Sequence, residues 1–309
     1  MRERSGAAHL GVTDVQRPYR FLAFTLLLLL LPRIAAPQSD TDVQVVQFAL
    51  VNVPDAPATL PRALNDRGQI VGTRLNIFDP IEINGFMFSN GSFSTVAFAQ
   101  AIENEAFDIN NRGTIVGTYV DAQSRPHGFI RAQGNFKTLD YPGAEETGLN
   151  GINDAGDIVG SFSICGFFSG CEIDRKAFLL RNGIFSEIAF PGATFTFLHA
   201  INNAGQIVGV YFDTSGIHGF LVSHGNFQTI DIPGAVETEA TDINNRGDIV
   251  GRYQVLVDGV GQDHGFLLRN GHFSTIDIPG AIATRPSGIN DLGAIVGESS
   301  LGGFFAIVK

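Results

Sequence analysis

Six copies of one string, IN(N/D)xGxIVG, punctuate the chain, with Leu for the first Ile in copy one. Their first Asn residues are Asn65, Asn110, Asn153, Asn202, Asn244 and Asn290, at steps of 45, 43, 49, 42 and 46. A period of this size belongs to an array of supersecondary units, each too small to bury its own apolar face, which must therefore stack on its neighbours.

The turn chemistry of one copy, Asp242 to Ala281, divides it into four strands. Asn245-Arg246-Gly247 lies between two apolar runs, and its Gly supplies the positive φ of a short bulged hairpin. Asn270-Gly271 is a two-residue hairpin signal, with counterparts at Asn90-Gly91, Gln133-Gly134, Asn182-Gly183 and His224-Gly225. Pro279-Gly280 ends the fourth strand, because proline cannot donate to a ladder. Four short antiparallel strands in about 45 residues is the size of a propeller blade.

The ends of the array are complementary. Phe48, in QFALVNVPDAPAT, heads an orphan fourth strand matching FSTIDIPGAIAT, whereas copy six stops at Lys309 after its third strand. The expected fold is thus all-β: a six-bladed β-propeller of four-stranded repeats, its ring closed by the N-terminal strand pairing into the last blade. An open solenoid is the alternative, although it would not need matching broken ends. There is no Trp, and 12 of the 26 Phe fall at two repeat positions, Phe86, Phe129, Phe178, Phe220, Phe266 and Phe304, and Phe48, Phe93, Phe136, Phe185, Phe227 and Phe273. Both sets read as core between neighbouring sheets.

Arg2, Arg4, Arg17 and Arg20 precede the apolar run Phe21 to Leu31, which is followed by Ala35 and Ala36. That is the pattern of a secretory signal peptide, and the 11-residue run is too short for a membrane span of roughly 20 residues. The expected organisation is a signal peptide over residues 1–38 and a single domain over 39–309. The mature chain would have 15 basic against 29 acidic residues, a net charge of −14. An acidic chain with no basic run excludes nucleic acid and anionic membrane surfaces as partners, and no stable membrane insertion is expected after cleavage.

The motifs INNxGxIVG, HGFL, Gly-x-Phe and TIDxPGA together resemble the bacterial extracellular repeats called the HAF family, over residues 46 to 309. The tripeptide reads HGF at His127, His218 and His264, RKAF around Phe178 and NGF at Phe86, and copy one has Phe98-Ala99-Gln100-Ala101 in place of Pro-Gly. The resemblance implies a secreted or surface bacterial protein with a propeller-like fold, extracellular or periplasmic, and brings no catalytic residues.

Residues that repeat six times are explained by architecture, so candidates for function are those that do not. With the N-terminal strand outermost, both tight turns of a copy fall on one face and the longer connections on the other. The second-to-third connections are TRLNIFDPIEIN, SFSICGFFSGCEIDRK and RYQVLVDGVGQDH in copies one, three and five, and ESSLGG in copy six. Unequal loops on a rigid scaffold are where binding usually lives. Ligand-binding candidates are Tyr119, Asp121, His199, Tyr211, Asp213, Glu237, Arg252, Tyr253 and Arg285, which around an axial funnel suit a polar ligand, a glycan or a protein. A solvated rim is the bland reading of the same residues.

His127, His218 and His264 belong to different copies, so a surface or ring-stabilising role outweighs zinc. Asp140, Asp231 and Asp277 read as turn partners beside Pro-Gly, and the repeated Asn as turn formers. No GxSxG, HExxH, phosphate loop or EF-hand string is present, so no cofactor, metal or catalytic residue is assigned. The favoured function is a monomeric, non-catalytic binding module working through the long-loop face. The alternative is a secreted propeller enzyme, a lyase or hydrolase on a carbohydrate or lactone, with its site in the funnel. Cys165 and Cys171, the only cysteines, are expected to form a disulfide in an oxidising compartment; a metal site is the competing reading.

Overall fold

The computed structural model describes residues 45–308 apart from 77, 79, 80 and 166–174. The signal-peptide expectation over 1–38 lies outside the described residues, and so does Cys171, hence the expected disulfide. Strand β1 is Val45–Leu50. Copy one supplies β2 (Ala58–Leu64), β3 (Ile70–Asn76), β4 (Glu82–Ser89) and β5 (Ser92–Val96), and copy two β6 (Glu103–Ile109), β7 (Ile115–Val120), β8 (Pro126–Ala132) and β9 (Asn135–Thr138). Copy three supplies β10 (Glu146–Ile152), β11 (Ile158–Ser163), β12 (Arg175–Arg181) and β13 (Ile184–Ile188), and copy four β14 (Phe195–Ile201), β15 (Ile207–Phe212), β16 (Ile217–Ser223) and β17 (Asn226–Ile230). Copy five supplies β18 (Glu237–Ile243), β19 (Ile249–Val257), β20 (Val260–Arg269) and β21 (His272–Ile276), and copy six β22 (Thr284–Ile289), β23 (Ala294–Ser299) and β24 (Gly302–Val308).

Copies one to five are each an antiparallel four-stranded sheet in chain order, copy six supplies three strands of its sheet, and one parallel bridge, Ile217 to Glu237, links the sheets of copies four and five. The third-to-fourth-strand turns have both central residues at positive φ, for example Asn270 and Gly271, as a type I′ hairpin needs. β1 pairs antiparallel with β24, Phe48 opposite Ala306, and is the fourth strand of the last sheet. In copy five the expected long connection is instead a ribbon: β19 and β20 stay paired to Val257 and Val260 and turn at Asp258-Gly259, both at positive φ.

Every first strand carries a bulge. The register between first and second strands slips after Pro61, Ala106, Leu149, Leu198, Ala240 and Pro286, leaving Arg62, Phe107, Asn150, His199, Thr241 and Ser287 as the extra residues. A bulge bends the strand and re-aims its side chain. It also explains the Gly of the IVG string, which stands opposite the bulge. A Cβ at Gly251 would lie 1.9 Å from the Glu239 carbonyl oxygen and 2.7 Å from the Phe266 ring, so no larger residue fits.

The Phe before the third strand's apolar run is the core: Phe86, Phe129, Phe178, Phe220, Phe266 and Phe304 are at most 1 % exposed. The fourth-strand Phe is not core in the same sense. Phe273 remains 39 % exposed and meets Phe266 edge-on at 5.6 Å, and Phe136 leans on Phe129 at 5.4 Å. Because it sits on an outer strand, it shields one side of the buried ring and keeps the other in water. Apolar clusters join consecutive sheets, and one sets Leu64, Ile70 and Phe86 of copy one against Ala294 and Val296 of copy six.

The repeated Asn does more than form a turn. Asn202 Oδ1 accepts the backbone N–H groups of Ala204 and Gln206 at 3.1 and 3.0 Å, which fixes its own hairpin. Its Nδ2 donates at 3.0 Å to the carbonyl of Asn244 in the next copy. The same bond runs from Asn65 to Asn110, Asn110 to Asn153, Asn153 to Asn202, Asn244 to Asn290, and Asn290 back to Asn65. The following Asn or Asp adds a second circuit, its Oδ1 accepting the backbone N–H of the preceding copy's equivalent, from Asp66 to Asn111 and finally Asp291 to Asp66. Both Asn and Asp carry that oxygen, which accounts for the two-letter choice in the motif.

Candidate functional site

The six bulged residues all line one cavity of about 940 Å³, to which every sheet contributes. Its walls are the first strands and the later parts of the second strands, and it opens at the strand ends that carry the second-to-third connections: Ser163 and Arg175, on either side of residues 166–174, both line it. The Asn turns enclose a smaller pocket, of about 60 Å³, at the opposite end. Asp108 and Asp242 line both and stand between them.

Where the scaffold repeats, the bulge differs. Asn150 donates to the Leu198 carbonyl at 2.9 Å, Thr241 to Pro286 at 2.9 Å and Ser287 to Pro61 at 2.7 Å, so three of the six stitch their sheet to the next. His199 does not: its Nε2 is buried without a hydrogen-bond partner, as is Arg62 Nε. Burial holds the His199 imidazole below its usual pKa; Glu239 opposes this, and the Arg62 and Arg252 charges add to the lowering. A neutral imidazole always presents one acceptor nitrogen.

Around these residues lies an ion-pair network. Arg252 pairs with Glu239, with Glu237 at 3.5 Å and with Asp263 at 3.3 Å. Arg285 Nε donates to Asp263 at 2.7 Å, Arg62 meets Glu298 at 3.3 Å across the first and last copies, and Arg175 meets Glu146 at 3.0 Å. Burial would raise Asp263, but hydrogen bonds from Gln254 and Arg285 and the two guanidinium charges outweigh it and hold the carboxyl low. Glu105 is different: its one hydrogen bond is the Thr73 hydroxyl at 3.4 Å, and burial raises its pKa despite the Arg62 charge.

Asp108 and Asp242 are absent from the candidates named from sequence, though a signal was there. The residue two before the repeated Asn reads Ala63, Asp108, Gly151, Ala200, Asp242, Gly288, an acid in an otherwise small position. Asp108 accepts backbone N–H groups from Ile109 and from Ile152 of the next sheet, both at 2.7 Å. Asp242 does the same with Ile243 at 2.8 Å and Ile289 at 2.7 Å. Burial pushes both carboxyls up, Asp108 to about 6 and Asp242, which also feels the Asp108 charge, to about 8.

Of the sequence candidates, His199, Glu237, Arg252 and Arg285 come together in the cavity. The other five do not line it. Tyr119 stacks on Phe98 at 4.2 Å and on His127 at 5.1 Å, and its hydroxyl meets Thr138 at 3.0 Å. Tyr211 stacks on Phe190 and His218 and bonds Thr229; Tyr253 stacks on His264 and bonds Thr275. Each of those His rings reaches the repeated Asp of its own copy through Nδ1, His127 to Asp140 at 2.8 Å, His218 to Asp231 at 2.9 Å and His264 to Asp277 at 2.8 Å. Asp121 binds Arg125 and the turn N–H of Gln123. Asp213 accepts from the Ser215 hydroxyl at 2.5 Å, so that proton points away from His218 Nε2, 2.9 Å distant, and Ser215, His218 and Asp231 form a loop clasp, not an activated nucleophile. Among the described residues no group of three or more His, Cys, Asp or Glu converges as metal ligands would.

No family model matches the chain, and no curated protein matches it. Among solved structures it is similar to TolB from Acinetobacter baumannii, with a TM-score of 0.52 and 10% identity over 78% of this chain and 65% of that one. It is also similar to the acylaminoacyl peptidase of Pyrococcus horikoshii, with a TM-score of 0.48, 12% identity and 78% of this chain against 43% of that one. A third is the β-propeller domain of the Trilobed protease from Pyrococcus furiosus, with a TM-score of 0.44, 7% identity and 78% against 91% coverage. The chain thus spans less than two thirds of the length of the first two. At this identity the TolB likeness speaks for the fold alone: an all-β, propeller-like arrangement of four-stranded sheets.

Proposed function

We propose that this chain is an exported, non-catalytic binding module, a closed six-bladed propeller whose axial cavity receives a polar ligand. The observation that carries the reading is the ring of bulges: six equivalent positions, held by six equivalent glycines, present six different side chains to one cavity. Conserving a costly local distortion while varying its residue suits recognition. Closure is supported by the Asn circuit that returns from Asn290 to Asn65 and by the pairing of β1 with β24. Export is supported by the leader, and with it a Cys165–Cys171 bond. Thiol titration of unreduced, unfolded protein should find no free thiol; two would refute the bond.

Binding is tested by nuclear magnetic resonance against panels of oligosaccharides and peptides. A ligand should shift cavity residues and lose affinity in His199→Leu and Arg285→Ala without a matching loss of melting temperature. Shifts confined to the Asn-turn end would contradict the assignment.

One observation favours an enzyme, a lyase or hydrolase on a carbohydrate or lactone: the neutral His199 and the raised acids Asp108 and Asp242 share the cavity. Both oxygens of each Asp already accept backbone N–H groups, which disfavours proton transfer to a substrate. Assays on glycosides and lactones should show no turnover that His199→Ala abolishes.

A further inference from the structure

The cavity side of the sheets carries most of the exposed large apolar side chains. Of the 16 large apolar side chains exposed among the described residues, 11 stand at strand ends and connections on the cavity side and two at the Asn-turn end; the others lie on outer strands. They are spread along the chain on that side: Ile81, Ile164 and Val260 come from copies one, three and five, Ile102, Val236 and Ile282 from connections between copies, and Ile282 is 85 % exposed. Such an excess on one face is a feature of interaction surfaces and not of a solvated rim.

Beneath this rim the lining holds eight carboxyl groups, of which Asp108 and Asp242 are already taken up by backbone N–H groups, and four guanidinium groups. Each guanidinium already has a carboxylate partner, so an anionic ligand would have to break an ion pair. Two groups remain underused, the Glu105 carboxylate, with only the Thr73 hydroxyl at 3.4 Å, and the buried His199 Nε2, an acceptor when the ring proton sits on Nδ1. What satisfies both is a cationic donor. A free cation would leave the apolar rim in water, whereas a peptide carrying the cation among apolar residues covers both.

We propose that this face docks a polypeptide partner that inserts a lysine or arginine side chain into the axial cavity and lays flanking apolar residues on the rim. The proposal rests on the reading of the cavity as the ligand site. The charged tip enters a walled, partly desolvated space, where its attraction to the surplus carboxylates is less screened than at an open surface. Rim contacts supply burial, and the cation supplies register.

The test titrates the full chain with the peptide acetyl-Gly-Leu-Val-Lys-Val-Leu-Gly-amide, with its Lys→Gln and Lys→Glu versions, with Ser in place of the apolar residues, and with spermidine and a mixed oligosaccharide set. Binding is followed by calorimetry and by amide shifts. The Lys peptide should bind with shifts at Glu105 and His199. Lys→Gln should weaken binding about ten-fold or more, Lys→Glu should bind more weakly still, and Ser flanks should also weaken it. Glu105→Gln should lower affinity for the Lys peptide but not for Lys→Gln, and Ile102→Ser with Ile282→Ser, two exposed positions that should leave folding intact, should act only on the apolar-flanked peptides. Equal binding of Lys and Glu peptides overturns the proposal, and so does spermidine binding as tightly as the Lys peptide. Oligosaccharide shifts in the cavity without peptide binding would sink the partner class and keep the site. No cavity shift from any probe would sink the site as well.

Discussion

A single methyl group decides how the first strand meets the second. Gly251→Ala would put its Cβ 1.9 Å from the Glu239 carbonyl oxygen, on backbone that cannot rotate away. We expect a loss of about 3 kcal/mol by urea denaturation, at the upper end for overpacking. Gly271→Ala, in an open turn with no atom within 4 Å, should cost clearly less, since only its positive φ is strained. A second residue-scale expectation concerns pH. Asp108 and Asp242 hold protons in the folded protein above the pKa of 3.8 at which an unfolded chain gives them up. At these two groups the folded state therefore binds more protons between about pH 4 and about pH 8, and the stability they contribute falls as pH rises through that window, opposed only below about pH 6.5 by the lowered His199. Melting temperatures measured from pH 5 to 8.5 should decline, and Asp108→Asn with Asp242→Asn should flatten the slope; a wild-type protein that gained stability over this range would contradict the assignment. The repeat made His199, Arg252 and Arg285 visible in the sequence as departures from pattern. The placing of Tyr119, Tyr211 and Tyr253 was not readable, because proximity to a loop says nothing of which way a ring turns, and each stacks on the His of its own copy outside the cavity.

At the scale of the element, the IN(N/D)xGxIVG string is a hairpin that is also a fastener. The turn was legible because Asn and Gly have local conformational preferences. The fastening was not, because it depends on which copy lies alongside, and a side-chain amide bonding a carbonyl 42 residues on leaves no local trace. Bulges were hidden for the same reason: His199 is extra only relative to the register of Leu198 on Gly209 and Ala200 on Val208. Asn202→Ala would free two turn N–H groups and leave the Asn244 carbonyl with only the Gly247 N–H, at a site where Asn202 is 3 % exposed. The expected cost is about 3 kcal/mol, from buried groups left short of partners. Its exposed neighbour Asn203→Ala should cost less, and equal losses for the two would mean that the buried circuit contributes little.

On the scale of the whole molecule, six similar sheets are useful as a ring only if the last meets the first. The complementary ends made this pairing readable from sequence: QFALVN lacks a sheet, and copy six lacks a fourth strand. The contents of the axis were less readable, since the eight acids and four arginines of the cavity come from five of the six copies and are spread along more than 230 residues, from Arg62 to Glu298. The most direct measurement is calorimetric melting of the full chain beside a variant lacking Asp40 to Asp55. The deletion removes β1, unpairs β24 and takes Val51 and Val53 from the cluster between the last and first sheets. A closed ring predicts a melting temperature lower by about 10 °C or more, with the loss spread through one cooperative transition. Equal melting temperatures for the two chains would contradict it.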